Sequence, residues 1–295
     1  MINNMNVQPL ITPIFRGFKT GKIYFSIVVL VALGCQMREN TTGNETKPVV
    51  SESAPPSTEA AIAPDEPPTA PEEEFTTDYL MGKFDPAQHP EFTLIAQKHA
   101  SRSDMYLRKD AYDAFIRMQD AAKQEGIRLL IISATRNFDR QKQIWEAKWT
   151  GAQPVGGQNI AKTIEDPVKR ALKILEYSSM PGSSRHHWGT DIDLNDLNDA
   201  HFQTPEGRKV YEWLRAHAAE YGYCQPYSPQ GKDRPHGYHE EKWHWSYMPI
   251  SKILTEQARK TLKDELISGF KGAETATSIG VVKKYVLGIN GECVE

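Results

Sequence analysis

Residues 183–195 read SSRHHWGTDIDLN: two adjacent histidines, a glycine, and two aspartates alternating with apolar residues. The closing segment TDIDLN (190–195) has the period-2 pattern of a half-buried strand. Ile192 and Leu194 are assigned to the core, and Asp191, Asp193 and Asn195 to the other face. Gly189, just ahead, permits a tight turn, so the loop bearing His186 can fold back toward Asp193. One imidazole and one carboxylate suit zinc but do not complete a site. Catalytic zinc takes three protein ligands and leaves a position open for water, so the stretch predicts a third ligand elsewhere.

The best donor is EEKWHWSY (240–247). In a strand, His244 points opposite to Trp243 and Trp245, so the indoles pack while the imidazole faces a cleft. Glu241, three residues before His244, can sit beside the metal without binding it. A carboxylate placed there takes a proton from the attacking water and passes it to a leaving amine. Glu240 competes for this role but stands one residue farther from His244. His187 similarly competes with its neighbour His186. His236 and His239 fit either the cleft or a polar loop, and Trp188 either a cleft wall or the core.

The rest of the folded part mixes helices and strands without a βαβ rhythm. RKDAYDAFIRMQDAAKQE (108–125) places Ala111, Phe115, Met118 and Ala122 on one helical face, with Gly126 as its stop. IRLLIIS (127–133) has strand length and reads as buried on both faces. Helices are expected over 137–149, over 165–177 with a proline in the first turn, over 204–222 and over 250–267. Residues 151–163 read as a loop, 181–189 as irregular, and 241–248 as a second alternating strand. The fold class this implies is α+β.

The N-terminal part has a different character. Arg16, Lys19 and Lys22 precede an apolar run from Ile23 to Leu33 that ends in ALGC. This is the layout of an export signal, and its end resembles the cleavage box of bacterial lipoproteins, with Cys35 as the lipidated residue. An ordinary signal peptide and a short anchor are the alternatives. Residues 36–77 are rich in Pro, Glu and Thr and poor in large apolar residues, which predicts a disordered tether. The expected organisation is an export segment over 1–35, a linker over 36–77, a catalytic domain over 78–250, and a C-terminal helix and tail over 251–295 packed on it. The net charge of −3 and the lack of any like-charge block argue against a nucleic-acid partner. Cys224 and Cys293 could pair in an oxidising compartment, and sequence leaves that open.

Three segments in order carry a resemblance. SRHHWGTDID (184–193) looks like the S-x-H-x-x-G-x-x-x-D signature of the zinc D-alanyl-D-alanine carboxypeptidases of the VanY/VanX type. EKWH (241–244) matches their E-x-W-H, and SATRNFDRQ (133–141) is similar to their strand end S-G-Y-R with a Gln five residues after the Arg. The resemblance covers roughly 105–250. It implies a single α+β domain with a small antiparallel sheet flanked by helices, and a Zn2+ ion held by His186, Asp193 and His244. It implies Glu241 as the catalytic base. Arg136 would clamp a carboxylate or steady the oxyanion, and Ser184 and Gln141 would hydrogen-bond the end of the peptide. The implied reaction is hydrolysis of the terminal amide of peptidoglycan stem peptides by an exported, lipid-anchored enzyme. L,D-carboxypeptidase, cross-link endopeptidase and non-catalytic wall-binding readings use the same ligands. Two departures stand out: Ala134 and Thr135 replace Gly and Tyr, and Asp191 takes a position where a small residue is usual.

Overall fold

The computed structural model describes residues 75–294. The export segment with Cys35, and the tether up to residue 74, lie outside the described residues. Phe75 is already buried, and helix α1 (Thr77–Leu80) starts on a Thr76 cap. Strands β1 (Phe92–Leu94) and β2 (Tyr106–Arg108) form an antiparallel ribbon. Helix α2 (Lys109–Gln124) follows at once and ends before Gly126, whose φ is +75°. Ala111, Phe115, Met118 and Ala122 are all fully buried along it, as their spacing predicts.

Next come β3 (Ile131–Ser133) and α3 (Phe138–Trp149), the latter capped by Asn137, whose side chain accepts from the Arg140 amide. Two short helices, α4 (Ile160–Thr163) and α5 (Pro167–Ile174), precede β4 (Asp191–Leu194). Then follow α6 (Pro205–His217), β5 (Tyr223–Cys224), β6 (His244–Tyr247), α7 (Met248–Thr261) and α8 (Ala276–Ile279). The main sheet has the order β3-β4-β6-β5 with every pair antiparallel. The described domain is therefore α+β, with a small antiparallel sheet flanked by helices. Among the described residues no helix is long and apolar enough to cross a membrane.

The sheet separates two apolar clusters. Ile131, Ile192, Leu194, Tyr223 and Trp245 pack with Phe115 and Met118 of α2 and Val210 and Leu214 of α6. A second cluster joins Trp145 of α3, Ile174 of α5, Leu254 and Ala258 of α7, and Val282 and Val286 of the tail. The alternation of β4 and β6 turns Asp191, Asp193, His244 and Ser246 to the face opposite Ile192 and Trp245.

Several elements differ from their sequence expectation. Strand β4 is buried along all four residues rather than half-buried, because its polar face is covered by the Arg185 turn and by α7. Strand β3 is shorter than 127–133. Asn195, at φ +66°, bends the chain there, takes the Leu130 amide on its side chain and donates to the Arg128 carbonyl. The loop 151–163 ends in the short helix α4. Strand β6 begins at His244, so Trp243 precedes the strand rather than alternating within it.

The C-terminal tail is tied to the sheet by a disulfide between Cys224 of β5 and Cys293, with Cα atoms 5.6 Å apart. The Asn290 amide bonds the Pro226 carbonyl. Gly237 packs so tightly on the tail that a Cβ there would stand 2.3 Å from the Gly288 carbonyl oxygen. The tail therefore braces the 225–241 loop that delivers Glu241. The bridge closes a loop with a sequence separation of 69. Its removal in Cys293→Ser is expected to cost about 2–4 kcal/mol of unfolding free energy, measured by urea titration. Equal midpoints for oxidised parent and variant would contradict this role.

Candidate metal centre

Two loops meet above the sheet and are zipped by backbone and imidazole bonds. The turn Arg185–Trp188 ends at Gly189, with φ +73°, where a Cβ would lie 2.3 Å from the Phe92 ring. Only glycine fits that approach and that backbone. The Arg136 amide donates to the His186 carbonyl at 3.1 Å. His186 Nδ1 faces the Ala134 carbonyl at 2.9 Å. His187 turns the other way: its Nδ1 meets the Arg136 carbonyl and its Nε2 accepts from the Gly182 amide at 3.0 Å. That separates the two neighbours. His186 faces the carboxylates and His187 holds the loops together.

The pairing of β4 with β6 sets Asp193 directly opposite His244. His186 Nε2 lies 3.2 Å from Asp193 Oδ2, and His244 Nδ1 lies 3.1 Å from Asp193 Oδ1. One donor atom from each of the three residues falls within 4.8 Å of the others, and all three residues are buried. The back nitrogens fix what these atoms present. His186 Nδ1 faces a carbonyl and His244 Nε2 faces the Asp191 carboxylate at 2.9 Å, so both carry hydrogen. In the neutral form that binds a metal, each ring therefore turns its lone pair toward Asp193. Buried Asp193 Oδ1 has no hydrogen-bond partner among the described residues. Three acceptors facing one point form a site for a cation, and two imidazoles with one carboxylate form a donor set of catalytic zinc centres.

The electrostatics agree. Burial opposes a charge on Asp193, but His186 and His244 hold its carboxyl well below the ordinary range. Burial works against protonation of His244, yet its bond to Asp191 and the adjacent Asp193 carboxylate lift it to about 9. Without a metal the His244 ring therefore holds a proton, which a cation bound beside Asp193 would displace. Burial and the Arg136 charge lower the pKa of His186, leaving that ring neutral.

Glu241 is 5% exposed, with Oε2 3.4 Å from His244 Nδ1. Burial pushes its carboxyl up to about 8, against the pull of His244. Such a group can both accept and return a proton near neutrality. The Arg136 guanidinium approaches Asp193 Oδ2 at 3.6 Å and donates to Ser133 Oγ at 2.6 Å. Gln141 accepts from Arg136 Nε at 2.9 Å and donates to the Ser179 carbonyl at 2.8 Å. The Gln141 amide is thus engaged in holding Arg136. Ser184 Oγ is buried and has no hydrogen-bond partner among the described residues.

These groups open on a cleft of about 470 Å³, walled by Arg136, Glu241, His186, His244, Trp243 and Lys148. Ser184 is not part of that wall. Lys148 escaped the sequence reading. It is half-buried, bonds Ser178 Oγ, and makes no ion pair with any described carboxylate. Its only signal was a position two helical turns after Gln141 on the same face. Glu240 is engaged elsewhere, accepting from the Tyr211 hydroxyl and pairing with Lys242. Trp188 is core, with its indole N–H on the Leu80 carbonyl. His239 stacks edge-on against Tyr177 beside the cleft.

The sequence around this site is similar to that of known proteins. Residues 104–250, about half of the chain, match the model of the VanY family, D-alanyl-D-alanine carboxypeptidase, and this segment is similar to that family. The putative carboxypeptidase YodJ of Bacillus subtilis is 31% identical over 165 residues, covering 54% of this chain and 50% of that protein. A D-alanyl-D-alanine carboxypeptidase of Enterococcus faecalis is 26% identical over 165 residues, covering 56% of this chain and 55% of that protein. The chain thus spans about half the length of these curated relatives. The solved structure of the LdcB LD-carboxypeptidase is 26% identical, with a TM-score of 0.41, over 63% of this chain and 77% of that one.

The arrangement separates ligands from base in a measurable way. His186→Ala and His244→Ala proteins are expected to lose the stoichiometric metal that the parent keeps through dialysis, whereas Glu241→Gln retains one equivalent. Elemental analysis of the dialysed proteins checks this, and metal retained by either histidine variant would remove that residue from the set.

Proposed function

We propose that the protein is a zinc carboxypeptidase that removes the terminal D-alanine from peptidoglycan stem peptides ending in D-alanyl-D-alanine. The observation that carries this reading is the buried group of three inward-facing acceptors, His186 Nε2, Asp193 and His244 Nδ1, with Glu241 beside it. The family match supports the substrate class. When bound there, zinc polarises the scissile carbonyl and makes the attacking water more acidic.

The chain's own residues do the rest. Glu241 takes a proton from the attacking water and returns it to the departing amine, a task suited to its raised pKa. Arg136, held on its flank by Gln141 and Ser133, offers its guanidinium to the oxygen on which charge develops. Gln141 acts on the substrate through Arg136. Lys148, a cation in the same wall with no carboxylate partner, takes the free carboxylate of the last residue. That assignment favours an exopeptidase, because a carboxylate at this point exists only at a chain end. Ser184, expected from the resemblance to bond the peptide, is buried outside the cleft wall and is given no contact with the substrate in this reading.

Export belongs to the same reading. The basic residues ahead of an apolar run, the ALGC end and the Pro/Glu/Thr-rich tether support an anchored domain reaching the wall from a lipidated Cys35.

Incubation with pentapeptide and tetrapeptide stems, followed by mass analysis, tests the reaction. Loss of D-alanine from pentapeptide alone, abolished by a chelator and restored by zinc, is the expected result. Cleavage of tetrapeptide alone would move the assignment to L,D-cleavage. Glu241→Gln is expected to lower kcat by about 10²–10⁴-fold; an unchanged kcat would dismiss it as the base. Lys148→Met should raise KM by about 10–100-fold, the worth of one charge-assisted hydrogen bond, with kcat little changed. Equal KM values would remove Lys148 from the substrate site.

A further inference from the structure

We propose that Asp191 is a positioning residue for the metal centre, fixing the tautomer and orientation in which His244 presents Nδ1 to the ion. The inference rests on the metal-site reading above and assigns a role to a carboxylate that the family resemblance leaves without one.

Asp191 lies one pleat along β4 from Asp193 on the same face, opposite Ser246 of β6. From there its Oδ1 meets His244 Nε2 at 2.9 Å, with Asp191 fully buried. A carboxylate accepts only, so the hydrogen stays on Nε2 and the lone pair on Nδ1 points toward Asp193. His186 is held by the weaker version of this device, the Ala134 carbonyl at 2.9 Å. A charged acceptor behind an imidazole makes the ring a stronger donor to a metal than a neutral carbonyl does.

A buried carboxylate needs compensation, and the surroundings supply it. Besides His244, Asp191 accepts from Arg185 Nε at 3.3 Å, Thr190 Oγ1 at 2.6 Å and Ser246 Oγ at 3.1 Å. Arg185 is itself anchored, donating to Thr255 Oγ1 and Ser246 Oγ at 2.9 Å each and lying over the Trp188 ring at 4.4 Å. The Arg185–Asp191 pair is neutral as a unit, so it adds no net charge beneath the metal. A carboxylate present only to neutralise Arg185 would not need His244 as its closest contact on Oδ1.

The test uses full-length protein and zinc alone. Dissociation constants come from competition with a chromophoric chelator, and thermal melts of the metal-free proteins report the fold. Asp191→Asn keeps an acceptor of the same shape but removes the charge. The double variant Arg185→Met with Asp191→Ala removes both charges together, so no buried ion is stranded. Both are expected to bind zinc about 10–100-fold more weakly than the parent, with the metal-free double variant melting close to the parent. Affinity equal to the parent's in either folded variant overturns the proposal. On the zinc-loaded parent, long-range ¹H–¹⁵N spectra are expected to show His244 protonated on Nε2 and metallated on Nδ1. The reverse pattern also overturns it, whatever the variants do. A parent that binds no zinc removes the metal-site reading and this inference together. A parent that binds one equivalent, with unaffected variants, removes this inference alone.

Discussion

The antiparallel register of β4 on β6 puts the Asp193 carboxylate against the His244 ring, and the centre depends on that pairing. A slip of β4 by one residue would exchange its two faces, sending Ile192 and Leu194 into the cleft and both aspartates into the apolar core. The core therefore enforces the register. Ile192 and Leu194 are fully buried among residues of α2 and α6, and they could not be turned outward without losing that burial. Packing on one face of the sheet fixes chemistry on the other.

The polar face carries more charge than a buried surface usually holds. Asp191, Asp193, Arg185, His186, His244 and Glu241 are all at most 5% exposed. Removing an ion from water costs several kcal/mol even after relaxation, so each of these groups needs a partner. Asp191 and Arg185 satisfy one another with help from Thr190, Ser246 and Thr255. Asp193 keeps an oxygen without a hydrogen bond, and Glu241 stays at a pKa near 8. The groups left incompletely satisfied are those nearest the point where a metal and substrate would sit. The tail supports this layer from behind, since the disulfide and the Gly237–Gly288 contact hold the loop leading to Glu241.

Much of the site was legible in the chain because its parts are local. His186, Gly189 and Asp193 stand within eight residues, and Glu241 and His244 within four. Spacing on a turn and a strand says which side chains can share a face. The helix over 108–125 was equally legible, because its buried residues recur at helical intervals. Less was readable where a long-range partner decides the outcome. Gln141 reads as a substrate contact until its amide is seen between Arg136 and the Ser179 carbonyl. Lys148 belongs to no motif and matters only because α3 lies along the cleft.

By itself the sequence determined the α+β mixture, the two segments that carry the metal-binding types, and the spacing that makes Glu241 rather than Glu240 the neighbour of His244. These follow from backbone periodicity, which acts over a few residues. Only the tertiary structure decided which of His186 and His187 faces the carboxylates, that Cys224 reaches Cys293, and that Asp191 stands behind His244. A hydrogen bond requires atoms about 3 Å apart. Between segments distant along the chain, that separation is set by the packing of two cores and not by local pattern.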